Sequence, residues 1–382
     1  NNAAFGVAAL FTNTTGQDNT AVGNTALRLN TTGSWNTAVG REALNNNATG
    51  INNTSVGTAS LRNNTIGNYN TSIGRNSLFS NTTGDYNTAN GYQSLFSNTT
   101  GIYNVANGVE ALYSNTTGSN IVALGVGTLY TNSTGQDNTA VGFHAMRFNF
   151  QGRDNTAMGF EAMFRNNNGN RNVASGYRAL YNGTTGSGNV AIGDNSMFGA
   201  PGMAGSNNVA IGTSNMINHN SAANTIAIGN QNLQNVNMAG GNIAIGNLNL
   251  VNTVMGYNNI AFGSEVLETN INGFHNIGLG FQALTNNDYG NRNIAIGDRA
   301  LASNTSNLNL AIGSNTLQSN TTGTPNIAIG VESQYTNTTG NNNNSLGYRS
   351  LYLNQTGNQN TAFGSEALYS STTSSNTGIG YR

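Results

Sequence analysis

The sequence predicts an all-β fold, a parallel β-solenoid (β-roll) of about 23 coils with a 17-residue repeat, on three observations. A marker glycine recurs at a nearly constant step along the whole chain. The residue two places before it is Ala, Ser or Gly in every copy, between neighbours that are mostly bulky or β-branched. A polar Asn-Thr-Thr-Gly segment recurs between these short apolar stretches, as at residues 13–16, 81–84 and 337–340. A fixed period shared by so many copies means one stacked supersecondary unit per repeat, not a single central core.

The marker series opens at Gly6, Gly23 and Gly40 and keeps that spacing to Gly193. One step of 19 leads to Gly212, the regular spacing resumes to Gly297, and steps of 16 lead to Gly313 and, from Gly364, to Gly380. Within a coil, the stretch Asn19-Thr20-Ala21-Val22-Gly23 alternates with period two and predicts a strand with a thin face at Ala21 and a thick one at Thr20 and Val22. The same holds for Ile243-Ala244-Ile245-Gly246. Both faces have the composition of buried surface. Three and four residues past the glycine, doublets such as Ala26-Leu27 and Ala43-Leu44 predict a second strand in each coil. Between the two, Arg41-Glu42 and Tyr348-Arg349 mark an outward turn. In the Asn-Thr-Thr-Gly turn, glycine is expected to supply a positive φ, while Asn and Thr bond their own backbone.

Coils at the β spacing of about 4.8 Å would make a rod of roughly 105 Å. A helical solenoid is excluded because its repeat needs roughly 33 residues or more. A roll one side chain thick cannot hide both faces of its strand, so the second face calls for a partner. A homotrimer around a shared axis would bury it, and closed symmetry would prevent further sideways recruitment. The pattern is already running at Asn1, so flanking segments are expected to cap the open coil ends.

Charged residues make up 7% of the 382, all thirteen basic ones are Arg, and the net charge is −1. This gives no electrostatic footprint for nucleic acid or an anionic membrane. There is no cysteine, hence no disulfide framework or thiol chemistry. No run of 18 apolar residues predicts membrane insertion in this segment. Along the chain we distinguish regular Thr-rich coils over 1–193, an irregular loop insertion over 194–208, Ile-rich coils over 209–313, and regular Thr-rich coils again over 314–382. The loop, with Pro201 among five Gly and Ala residues, is expected to protrude.

The copies Asn189-Val190-Ala191-Ile192-Gly193, Asn208-Val209-Ala210-Ile211-Gly212 and Asn242-Ile243-Ala244-Ile245-Gly246 resemble the head repeat of trimeric autotransporter adhesins. The fuller form, ending in Asn-Thr-Thr-Gly, also looks like repeats of tail-fibre-like proteins. The resemblance covers essentially the whole chain and implies a left-handed, trimeric roll. It departs from the adhesin head in its longer period, and it includes neither a coiled-coil stalk nor a membrane anchor.

The chemistry-bearing residues do not assemble a reaction centre in the sequence. His144, His219 and His275 lie several coils apart, too far to share a metal, and are expected at surfaces or turns. The stacked series Glu332, Arg349, Glu366 and Arg382 alternates in sign and predicts an exposed charge ladder, with Glu161 and Arg178 a further pair. Calcium would need acidic turns, and an ice-binding surface would need Thr on a flat strand; neither pattern is present. We therefore expect no catalytic residue, cofactor or metal. Ala21, Gly23, Ala244 and Gly246 are expected to be structural, as are Asn90 and Asn107, which replace the usual apolar residue before the marker glycine. If that face meets the trimer axis, these amides would form a polar layer that fixes register.

The expected function is a non-enzymatic extracellular fibre or adhesin segment on a cell or particle surface, partnered with itself and with a surface receptor, a glycan among the candidates. A phage or injection-particle tail-fibre shaft is the alternative. A glycan-active β-solenoid enzyme is the remote one, and it would need clustered acids.

Overall fold

The computed structural model describes residues 1–199, 202–238 and 240–382. Among them 23 short parallel strands recur once per coil, from Ala3–Phe5 to Thr377–Ile379. The chain divides into two compact units, Asn1–Asn189 and Val190–Arg382. The first holds the strands up to Val173–Ser175 and the second those from Val190–Ile192 onward. Within each unit the strands pair in parallel with their counterparts one coil away, as in Ala21↔Ala38 and Ala244↔Ala261. The irregular steps are absorbed without loss of register, since Ile192 pairs with Ile211 and Ala295 with Ala311. The parallel β-solenoid, with one strand per sequence repeat, is thus the fold of each unit.

The thin face is the interior. Ala21 and Ala244 are fully buried, as are Ala26 and Leu27; most coils close around small side chains and one leucine or methionine, with Gln334 buried in that place in the coil after Gly330. A fully buried leucine stabilises by about 1.5–3 kcal/mol. The thick face points outward: Val22, Ile73 and Phe363 remain 37%, 42% and 44% exposed. Among the described residues, nothing covers it.

The expected second strand is absent from the described residues. Residues after the marker glycine form turns, and the doublet leucines sit in the left-handed region, with φ of 50° at Leu27 and 49° at Leu44. Thr25 and Glu42, two places earlier, do the same at 57° and 60°. Alternating hand bends the backbone tightly and aims its N–H groups at both neighbouring coils. Thr25 N–H donates to Val7 O of the preceding coil, and Leu27 N–H donates to Ala43 O of the following one. Each left-handed residue costs of order 1–3 kcal/mol, which the satisfied backbone and the buried leucine offset.

The Asn-Thr-Thr-Gly turn also differs from expectation. Its glycine is not in the left-handed region; the positive φ falls two residues later, at Trp35, Asn52 and Tyr69. Glycine is required there because a Cβ at Gly50 would collide with the Gly67 carbonyl oxygen and Asn47 Oδ1. The turn's Asn points inward. Asn47 is fully buried and donates to Gly50 O at 2.9 Å and to Asn30 Oδ1 of the preceding coil at 2.7 Å.

A second amide column runs four residues before the marker. Asn36 is fully buried; its side chain donates to Gly50 O (2.9 Å) and Asn19 Oδ1 (3.2 Å), and its own Oδ1 accepts from Asn53 N–H at 3.0 Å. Both columns therefore converge on one turn carbonyl. In the Ile-rich coils a third column appears at Asn215, Asn232 and Asn249, where most other coils have Ala or Ser. Asn232 bridges Ile228 O and Gly246 O at 3.1 and 2.7 Å. The strands lengthen to five residues in these same coils, Val209–Thr213 to Ile260–Ser264.

Of the irregular loop at 194–208, residues 200 and 201 lie outside the described residues. Met203 in the same segment is fully buried, so its side chain enters the coil interior.

Candidate functional site

The residues singled out by the sequence fall into three places. Ala21 and Ala244 line the interior, and Gly23 and Gly246 follow the alternating stretch at φ of 135° and 128°. A Cβ at Gly23 would lie 2.5 Å from Gly40 O, and one at Gly246 would strike Gly263 O. These four positions are steric requirements of coil stacking.

Asn90 and Asn107 stand on the outer face, both exposed and in register one coil apart. They interrupt an otherwise largely apolar column. In the second unit nine consecutive coils, from Val190–Ile192 to Ile327–Ile329, each present two large apolar residues outward, none of them buried.

The charge ladder exists as separate rungs. Arg349 Nε lies 2.5 Å from Glu332 Oε2 and Arg382 Nη1 lies 3.7 Å from Glu366 Oε2, but among the described residues no ion pair joins Arg349 to Glu366. The Arg349 guanidinium stands over the rings of Tyr348 and Tyr352 at 4.9 and 5.3 Å. Hydrogen bonding to Glu332 raises its pKa above the ordinary value. Arg178 and Glu161 form the equivalent pair at 2.8 Å. Such exposed pairs contribute little to stability.

The histidines divide. His275 stands at an outer turn edge-on to Tyr257, and His144 lies against Phe143 with ring centroids 3.8 Å apart. His219, expected at a surface or turn, is fully buried, because it occupies the inward position that Asn149 and Asn166 hold in other coils. Neither ring nitrogen has a hydrogen-bond partner among the described residues, and burial lowers its pKa to about 4. A neutral ring is the form such a site tolerates.

The aromatic columns escaped the sequence reading, although their signal is plain once Phe and Tyr are followed from one repeat to the next. Phe79, Phe96, Tyr113 and Tyr130 stack with successive ring centroids 5.2, 5.1 and 5.0 Å apart. Arg62 and Arg147 cap the two ends at 5.6 and 4.9 Å. Tyr69, Tyr86 and Tyr103 form a second, more exposed stack at 4.9 and 5.0 Å. Stacked at the coil spacing, the rings cover one another's faces and show solvent only their edges. These columns therefore tie neighbouring coils together, each pair contributing about 0.5–1.5 kcal/mol.

No protein-family model matches the chain, and no curated protein matches it either.

Proposed function

We propose that this chain is a non-enzymatic extracellular fibre segment that assembles as a left-handed homotrimer and presents its outer turns for attachment to a surface. The observation that carries this reading is the outer apolar face. Eighteen large apolar side chains over nine coils leave on the order of 1,000 Å² open, against the few hundred a monomer usually exposes. Three copies around one axis would cover it. The turns, with their aromatic columns and arginines, would remain outside and accessible to a receptor.

The resemblance to adhesin heads and tail-fibre repeats supports the same architecture. The tail-fibre shaft is the second reading, favoured by the recurring Asn-Thr-Thr-Gly segment that lengthens the period. Light scattering on the folded chain tests the assembly. We expect three times the chain mass of 39.7 kDa; a stable species at the single-chain mass would sink the proposal.

A further inference from the structure

We propose that a groove on the turns of the first unit binds a carboxylate-bearing saccharide. The groove has a volume of about 870 Å³, and its lining includes Gln151, Arg153, Asp154, Asn168, Asn170 and Arg171. That volume lies within the usual range for small-ligand sites. It arises where two consecutive coils lose the Thr-Thr pair of the turn: Phe150-Gln151 and Asn167-Asn168 stand in its place.

The two arginines are side by side on neighbouring coils, the N–H of Arg171 donating to Arg153 O at 3.0 Å. Asn170 Oδ1 accepts from Arg153 N–H at 2.8 Å, which fixes the backbone beneath them. Asp154 and Arg171 share one column and one conformation, φ 58° and 56°. Arg62, Arg178, Arg349 and Arg382 each pair with a glutamate. Arg153 and Arg171, like six others of the thirteen arginines, make no ion pair among the described residues; what sets these two apart is that both line one groove. Two guanidinium groups lining one groove, neither in an ion pair with the carboxylate there, leave a position where an anion is favoured, and the planar guanidinium matches a carboxylate bidentately.

The rest of the lining decides the class of anion. Asp154 repels a bare phosphate or a polyanion but accepts hydrogen bonds from hydroxyl groups. The amides of Gln151, Asn168 and Asn170 both donate and accept, as the vicinal hydroxyls of a sugar require. No large apolar side chain is among the lining residues, so a peptide or lipid tail would find nothing to bury. A uronate or a sialate offers a carboxylate on a polyhydroxylated ring and satisfies both halves of the groove.

This site gives a chemical class to the receptor in the attachment reading and rests on that reading for its purpose, though not for its geometry. The test is calorimetric titration of the folded protein with tri-galacturonate and with 3′-sialyllactose, and with lactose and a heparin-derived sulfated disaccharide as comparators. We expect one or both carboxylated probes to bind and lactose to bind at least about tenfold more weakly. Arg153→Gln with Arg171→Gln should abolish binding with the melting curve unchanged, whereas Arg41→Gln should not affect it. Asp154→Asn should strengthen the sulfated disaccharide relative to the carboxylated sugars and so narrow the preference between them. Failure of both carboxylated probes, equal binding of the sulfated disaccharide, or retained binding in the double variant would overturn the site. A trimer that binds none of them would leave the fibre proposal standing, and a monomer that binds would do the reverse.

Discussion

A single methyl group is the largest apolar side chain that fits at the residue two before each marker glycine. Ala244 is fully buried within a coil whose interior it shares with Leu250. We predict that Ala244→Leu destabilises by about 1–3 kcal/mol per chain, because overpacking forces the coil open against its neighbours. Arg349→Ala, which removes an outward ion pair, should lower the melting temperature far less. Equal melting midpoints for the two variants would show that the buried face has been misassigned. His219 makes a second residue-scale prediction. Its folded pKa of about 4 lies below the usual 6.5, so the unfolded chain binds the proton first as pH falls. Its stabilisation is therefore complete above pH 6.5, declines between 6.5 and 4, and is lost below, on the order of 3 kcal/mol in total. His219→Val, which copies Val236 of the next coil, should flatten the difference in melting temperature between pH 7.5 and pH 4.5. An unchanged difference would rule out His219 as its source.

At the scale of the element, the amide column is what makes one coil recognise the next. Asn70 donates to Gly84 O and Asn53 Oδ1 at 2.8 and 3.2 Å and accepts from Asn87 N–H at 3.0 Å. We predict that Asn70→Ile costs about 1–3 kcal/mol, since the buried Asn87 N–H of the following coil loses its acceptor, while Asn53 Oδ1 keeps the Asn70 N–H and Gly84 O keeps Asn81. Ile121 already occupies the same column, fully buried, where its N–H still donates to Asn104 Oδ1 but it has no side-chain oxygen to offer Asn138. Ile121→Asn should therefore raise the melting temperature; if it falls as far as in Asn70→Ile, the column is a packing feature and not a hydrogen-bonded one. The strand and its thin face were legible because small residues and glycine recur in fixed places in all 23 copies. The inward asparagines were not, because Asn beside Thr and Gly has the composition of a solvated turn, and only its recurrence from coil to coil marks it as interior. The missing second strand has a similar cause. Ala-Leu doublets mimic period-two alternation, and leucine carries no local signal for a left-handed backbone such as that at Leu27. In the groove, Arg153 and Arg171 are visible in the sequence, but they stand one position out of step with the repeat, in adjoining columns of the turn, and a search along any one column misses the pair.

For the whole molecule, the outer face sets what the chain can become. In the first unit it is more mixed than in the second, with Thr at many of the positions three before the glycine, and it is broken by Asn90 and Asn107. These two pair in register and are exposed in the single chain, so an isolated chain would solvate them at little cost. In a trimer closed on this face, two residues from each of three chains would bring six amides into one layer about 4.8 Å deep. Amides removed from water must bond to one another or to trapped water, and an apolar residue there would bury more favourably. What the amides supply is alignment, since a copy shifted by one coil would set Asn90 against Ile73 or Asn107 against Leu124 instead of each against its own kind. We therefore predict that Asn90→Val combined with Asn107→Val raises the melting temperature of the assembled protein while increasing the fraction of misaligned or higher-order species in size-exclusion chromatography with light scattering. A lower melting temperature with unchanged assembly would count decisively against a polar layer on the axis. It would place these two asparagines on a face that remains in water.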